Sequence, residues 1–464
     1  MSALLPLVAG DLDAPLAWRA GRAVSRREYL ADVEALAARL PADGAPLNLT
    51  ADRYRFAVGL GAALARGQTS LLPPNHAVDT IEQLRGLFAR AYALVDPHAA
   101  PIALPSVAYD VAAQAPPAPV ETPHIAATHI AAQVLTSGST GVPVPHAKSW
   151  GLLVENARAE TVRLAESMGR ATLDGVALVA TVPAQHMYGF ESSVLVALLG
   201  GAAFDTGRPF YPADIAAALD RLPRPRLLVT TPFHLKTLLD SSVALPPIDL
   251  ALCATAPLAP QLAARAEAAL AAPLVEIYGC TEAGQVATRR TVAAAEWRLY
   301  DGLHLEGDSD RAIIAGGHVP QPTPLADVLE VLDRQHFRLL GRSNDLVNIA
   351  GKRSSIGHLN HHLNAIDGVI DGAFWMPPEP VGDAGIVRLV AFVAAPSLAD
   401  ATILAALRQR VDAAFLPRRI VRVETLPRDP SGKLPATRLA ALAEQATRAA
   451  TRPAPARGRH ERTP

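Results

Sequence analysis

The sequence predicts an α/β protein: a large N-terminal domain of layered, parallel-rich sheets and helices, followed by a small α+β domain. Short apolar, strand-like runs alternate with alanine-rich helical patterns through much of the first two-thirds of the 464 residues. A compositional break falls near Gly341-Arg342. Helix and strand patterns of βαβ type then fill about 100 residues, the size of a small domain.

Taken in order, residues 31–40 read as a helix stopped by Pro41, 56–66 as a second helix, and 70–72 as a short strand ended by Pro73-Pro74. The Pro- and Ala-rich stretch 112–123 reads as a linker or surface loop. An apolar run, 131–135, follows it. Residues 176–182, 227–230, 250–253 and 274–277 read as buried strands, with helices expected at 213–222 and 261–271. Past the break come a short helix bearing His358, His361 and His362, a strand 387–393, a helix 401–415 and a strand 420–423. The Arg-, Pro- and Ala-rich tail is expected to be disordered. The domains are therefore placed at 1–341, 342–445 and a tail 446–464.

Hydrophobic residues make up 50% and charged residues 19%, with a formal net charge of −1. This balance argues against a nucleic-acid partner or an anionic membrane. The two cysteines, Cys253 and Cys280, are too few for a disulfide framework or a thiolate zinc site. No run approaches the ~20 uncharged apolar residues of a membrane span. The first ten residues lack the basic start of a signal peptide. A soluble cytoplasmic protein is expected.

The run Thr136-Ser137-Gly138-Ser139-Thr140-Gly141 follows the apolar strand directly. Its small residues let backbone N–H groups crowd around an anion, and its hydroxyls add donors for phosphate oxygens. It is not a Walker A loop, because Val142-Pro143-Val144 follows where Gly-Lys-Ser/Thr would be needed. A nucleophile elbow, and with it a serine hydrolase, fails for want of a glycine at Ser137. By itself the run also suits a flexible Ser/Gly loop.

Tyr278-Gly279-Cys280-Thr281-Glu282 stands at the carboxyl end of a predicted strand, where open α/β sheets bind ligands. The tyrosine can stack on a base, Thr281 can donate to phosphate, and Glu282 offers a hard oxygen for Mg²⁺. The plainer reading is a strand end with a helix cap. Asp327, in Leu325-Ala326-Asp327, precedes Gly341-Arg342 by a hairpin-sized interval and can accept ribose hydroxyls. Gly351-Lys352-Arg353 follows in a turn. Lys433 ends Pro427-Arg428-Asp429-Pro430-Ser431-Gly432-Lys433, a point charge on a loop tip.

With these motifs in this order, from Trp18-Arg19-Ala20-Gly21-Arg22 to Lys433, the chain resembles the adenylate-forming superfamily of acyl- and aryl-CoA synthetases, peptide-synthetase adenylation domains and luciferases. The resemblance implies ATP and Mg²⁺ as cofactors. Thr136 to Gly141 would hold the β- and γ-phosphates, Tyr278 would flank the adenine, Thr281 would touch the α-phosphate, and Glu282 would support the metal. Asp327 and Arg342 would hold the ribose. Lys433 would bridge the substrate carboxylate and the α-phosphate. Asn344 matches the hinge about which a mobile small domain rotates, and Gly351 and Arg353 belong to the segment serving thioester formation. His186, Tyr188 and Gly189, in Gln185-His186-Met187-Tyr188-Gly189-Phe190, match the acyl-pocket segment. Phe233, His234, Ala254 and Gly279 would supply further walls.

The chain departs from the family pattern at several points. Lysine usually follows Gly-x-Pro, but Val144 stands there and the nearest lysine is Lys148, a candidate substitute. Thr-Gly-Asp becomes Leu325-Ala326-Asp327, the hinge is Asn344, and Ser354 to Asn360 replaces an acidic pattern. Tyr188, Phe233 and His234 suit a flat ring with a polar substituent, although each also suits core packing. Residues 139–150 resemble the Pro-x-Pro-His variant in AMP-ligases of aryl-polyene and xanthomonadin-type pigment clusters. That narrower resemblance implies 4-hydroxybenzoate-like acids and transfer to acyl carrier protein.

Arg408, Arg410, Arg418, Arg419 and Arg422 could meet an acidic carrier protein or the phosphates of CoA, or simply form a solvated face. The three clustered histidines lack a completing carboxylate or cysteine, so an incidental surface helix is expected rather than a metal site. The competing readings are a fatty acyl ligase and a degenerate nucleotide-binding protein of the same fold.

Overall fold

One long sheet organises the larger part of the molecule. In the computed structural model, which describes residues 3–73, 75–110, 121–137, 143–307, 312–342, 346–349, 352–377, 388–428 and 434–451, the chain divides into two compact units, Met1–Leu340 and Gly341–Pro464. In the first unit an eleven-stranded sheet has a parallel centre built from Pro15–Arg19, Ala203–Asp205, Ala177–Ala180, Arg226–Thr230, Leu250–Cys253 and Leu274–Cys280. Antiparallel strands Gly284–Arg289 and Trp297–Leu299 continue it on one side. The expected strands at 250–253 and 70–72 are found with those bounds, and the others shift by one to three residues.

The central strands are buried on both faces, which is why they read as unbroken apolar runs. Alternate side chains serve different layers. Leu178, Leu227, Leu250 and Val275 join a core shared with Tyr29, Phe56, Trp150 and Phe190. Val179, Leu228, Ala251 and Leu274 instead meet Ile215, Leu235, Leu238 and Ala263. Those partners come from helices Pro212–Asp220, Pro232–Asp240 and Pro260–Leu270, each started by a proline whose missing N–H costs nothing in the first turn.

A six-stranded sheet holds Ser70–Leu72 beside Ile130–Ser137, which pairs antiparallel with Pro143–Ser149. The Trp18 to Arg22 motif is a hairpin, with Ala20 and Gly21 both at positive φ (50° and 83°), as a tight two-residue turn requires.

The second unit pairs Leu346–Ile349 with Lys352–Ser355 and builds a three-stranded sheet from Asp371–Trp375, Val390–Ala394 and Arg419–Arg422. Leu359, Leu363, Phe374, Val393, Ile403 and Leu407 form its core. Two expectations are corrected here. The helix expected over 401–415 ends at Arg408, and a separate 3-10 turn, Ala413–Phe415, begins where the Asp412 side chain accepts from the Ala414 N–H. The C-terminal helix Ala436–Thr451 runs past residue 446, because its alanine-rich, amphipathic sequence lays Leu439, Leu442 and Ala446 against Phe392 and Leu426.

Residues 452–464, and 112–120 of the expected linker, lie outside the described residues. Among the described residues no helix is long and apolar enough to cross a membrane, and no cluster of three His, Cys, Asp or Glu is arranged to hold a metal. The histidine-bearing segment is the helix Ile356–Asn364.

Candidate active site

Neighbouring parallel strands all end on one edge of their sheet, and that edge gathers residues far apart in sequence. Strand Ala177–Ala180 leads to His186, Arg226–Thr230 to Phe233, and Leu250–Cys253 to Ala254, while Leu274–Cys280 carries Tyr278 and Gly279. His186 precedes the short helical turn Met187–Gly189. Gly189 is required there, since a Cβ would collide with the Pro183 carbonyl. The Tyr188 ring is 6% exposed and its hydroxyl donates to the Leu252 carbonyl at 3.0 Å, so both ring and hydroxyl are committed to packing. Phe233 is 40% exposed in the first turn of Pro232–Asp240.

Behind Phe233, His234 is buried against Phe210 and Phe233, both edge to face. Its N–H donates to Thr231 Oγ1 and its Nδ1 lies 2.9 Å from the same hydroxyl. Burial, with Arg208 nearby, pulls its pKa down to about 4 and keeps the ring neutral.

The strand Leu274–Cys280 breaks register between Tyr278 and Gly279. A Cβ at Gly279 would strike the Gly284 backbone, so the turn between them closes only with glycine. The Tyr278 ring packs on Trp297 and Phe337, which are themselves stacked. Its hydroxyl donates to Asp327 Oδ2 at 2.6 Å, joining two site candidates that lie on separate strands. Thr281 is half-buried and Glu282 exposed. One exposed carboxylate beside a threonine hydroxyl supplies the hard oxygens Mg²⁺ prefers, with phosphates and water left to complete the shell.

The proposed phosphate loop is flanked by the paired strands Ile130–Ser137 and Pro143–Ser149, which place Val144 opposite Thr136. Val144, at the position of the family lysine, is 46% exposed. The Thr136 hydroxyl lies 3.1 Å from His146 Nε2. Burial lowers the His146 pKa, with Glu282 pulling the other way. Gly138, Ser139, Thr140, Gly141, Asn344, Gly351 and Lys433 lie outside the described residues. Arg342 and Arg353 are placed as backbone, in strands His336–Arg342 and Lys352–Ser355.

A buried polar cluster behind the Tyr278–Glu282 motif was missed from sequence. Lys148, 8% exposed, donates from Nζ to the Glu282 carbonyl at 2.9 Å. Burial lowers its pKa, partly offset by Glu191, Cys280 and Glu282. Glu191 is 2% exposed and accepts from Asn156 Nδ2 at 2.5 Å, and burial raises its pKa. Glu160 is fully buried and pushed up to about 8 by desolvation, which leaves it a neutral acid at pH 7. Gln285 donates to Ser192 and accepts at its carbonyl from His318 Nε2. The signal was available: Asn156, Glu160 and Arg163 recur at helical spacing on the face that also carries Leu153, Ala157 and Leu164.

The profile of the AMP-binding enzyme family matches residues 17–335. A 4-coumarate–CoA ligase of Rhodobacter capsulatus is 32% identical over 278 residues, covering 60% of this chain and 67% of the relative. A 4-coumarate–CoA ligase of Halorhodospira halophila is 32% identical over 274 residues, covering 57% and 63% respectively. The match thus spans about two thirds of these relatives' length. Among solved structures, an anthranilate CoA ligase in complex with anthranoyl-AMP superposes with a TM-score of 0.77 over 96% of this chain and 99% of that one, at 14% identity, which shows a shared fold. The chain belongs to the AMP-binding enzyme family, the adenylate-forming superfamily, and is an AMP-forming acid–thiol ligase.

Proposed function

We propose that the protein activates an aromatic carboxylic acid with ATP and passes the acyl group to a thiol. The observation that carries this is the single sheet edge that gathers His186, Phe233, Ala254, Tyr278 and Gly279 in a chain similar to two 4-coumarate–CoA ligases. In the first half-reaction a carboxylate oxygen attacks the α-phosphorus and pyrophosphate leaves. Tyr278 and Asp327, held together by their hydrogen bond, bind the adenosine with Arg342. Thr281 touches the α-phosphate, and the 136–141 loop holds the outgoing phosphates. Mg²⁺ at Glu282 would offset phosphoryl charge. Lys433 adds a cation where the substrate carboxylate and α-phosphate meet, and His186 lies beside the carboxylate. In the second half-reaction a thiol attacks the acyl carbon and AMP leaves.

Within the aromatic acids we infer 4-hydroxybenzoate or a close analogue, supported by the Pro-Val-Pro-His sequence after Gly141 and by the aromatic–imidazole wall of Phe210, Phe233 and His234. CoA is the acceptor favoured by the similar ligases, and the phosphopantetheine of an acyl carrier protein is the alternative. The site is a cytoplasmic one on this reading. ATP–pyrophosphate exchange against benzoate, 3- and 4-hydroxybenzoate, 4-coumarate and fatty acids tests it. Exchange confined to hydroxylated aromatic acids is expected. Exchange with fatty acids moves the protein to the acyl-chain ligases, and no exchange on ATP-binding protein makes it a degenerate member.

A further inference from the structure

Lys148 is the lysine nearest the position where this family usually carries one, yet its ammonium is turned away from solvent. It lies opposite Ala132 in the paired strands, four residues beyond the exposed Val144. Its Nζ donates to the main-chain carbonyl of Glu282 at 2.9 Å. Other contacts converge on the same turn. Gly284 stands at φ +79°, so close to the buried cluster that a Cβ would lie 2.9 Å from Asn156 Nδ2 and 3.0 Å from Glu191 Oε1. Gln285, the next residue, is held through Ser192, Tyr300 and His318. The turn from Cys280 to Gly284 is therefore gripped from behind by the strand Pro143–Ser149, the helix Trp150–Ser167 and the π-helical turn Phe190–Leu195.

We propose that Lys148 is a positioning residue that fixes this turn through the Glu282 carbonyl, presenting Thr281 and Glu282 to the nucleotide, rather than a substitute phosphate ligand. A half-buried carbonyl with a charged donor on it has one preferred orientation, and that peptide anchors Glu282 and, one residue before it, Thr281. This rests on the roles assigned to Thr281 and Glu282 in adenylation.

Lys148→Met keeps the length and removes the donor. Two readouts are needed. Amide hydrogen exchange on the nucleotide-free protein is expected to speed up across residues 280–284 and to stay unchanged in the helix Pro260–Leu270. Pyrophosphate exchange is expected to slow about 10- to 100-fold, the usual loss when a residue supporting a ligand is removed. ATP affinity, measured by equilibrium binding, should change less than about threefold, on the premise that removing a merely orienting group weakens the reaction more than the binding. In a Glu282→Gln background the same substitution should add little, because the two act through one turn. Unchanged amide exchange in 280–284 overturns the proposal, whether or not the protein proves active on any acid tried. So does a loss of ATP affinity that persists undiminished in the Glu282→Gln background, which would make Lys148 a phosphate ligand. Should Lys148→Met not fold, Glu191→Gln serves instead. It removes the carboxylate that most offsets the desolvation of the ammonium, and the same pattern is expected at smaller size. Unchanged amide exchange and kinetics there also overturn the proposal.

Discussion

Two buried titratable side chains near the turn pull stability in opposite directions with pH. His318, 5% exposed, has its pKa lowered to about 4 by burial. Between its ordinary value near 6.5 and 4, the unfolded chain takes up a proton that the folded chain refuses, so stability falls as the pH drops through that window. Glu160 behaves conversely. Its carboxyl is raised to about 8, so the unfolded chain loses a proton above pH 4.5 that the folded chain keeps, and stability falls as pH rises toward 8. At pH 7 that difference costs on the order of 3 kcal/mol. Glu160→Gln should therefore raise the melting temperature at pH 7.5 and flatten its decline between pH 5 and 8. His318→Gln, which can still donate to the Gln285 carbonyl, should flatten the decline between pH 6.5 and 4. Melting curves across pH 4 to 8 check both.

At the scale of single elements, the helix Arg26–Ala37 begins with a complete capping box. Ser25 accepts from the Glu28 N–H, and the Glu28 carboxylate accepts in turn from the Ser25 N–H at 2.7 Å. Ser25→Ala takes the acceptor from the Glu28 N–H and should cost about 1 kcal/mol, read as a lower denaturant midpoint with unchanged adenylation. The helix Trp150–Ser167 differs, because its buried face carries Asn156, Glu160 and Arg163 among aliphatic residues. Arg163 donates to Thr288 and to the Leu299 carbonyl, so that face aligns the antiparallel strands that carry the sheet onward from Tyr278.

At the scale of the molecule, a small unit beginning at Gly341 carries Lys433 and Gly351, whose assigned roles fall in different half-reactions. Lys433→Ala should nearly abolish pyrophosphate exchange while sparing thioester formation from a supplied acyl-adenylate. Gly351→Leu should do the reverse by obstructing the thiol. Separate assays of each half-reaction check this, and equal loss in both would contradict the division of labour.

What the sequence by itself determined was local and periodic. Apolar runs marked the central strands because both faces of each are buried, and glycine and proline marked the turns because few other residues satisfy those backbone angles or close approaches. The hydroxyl- and glycine-rich run and the Tyr278–Glu282 motif were legible for the same reason: each is contiguous, so order and spacing could be read along the chain. Tertiary structure decided what depends on neighbours brought from afar. It committed the Tyr188 hydroxyl to Leu252, joined Tyr278 to Asp327, and left Val144 exposed while drawing Lys148 inward to the Glu282 carbonyl. A lysine on a strand has no intrinsic preference for a phosphate over a main-chain oxygen. The burial of Lys148, with the charge of Glu191 acting on it, makes the Glu282 carbonyl its partner.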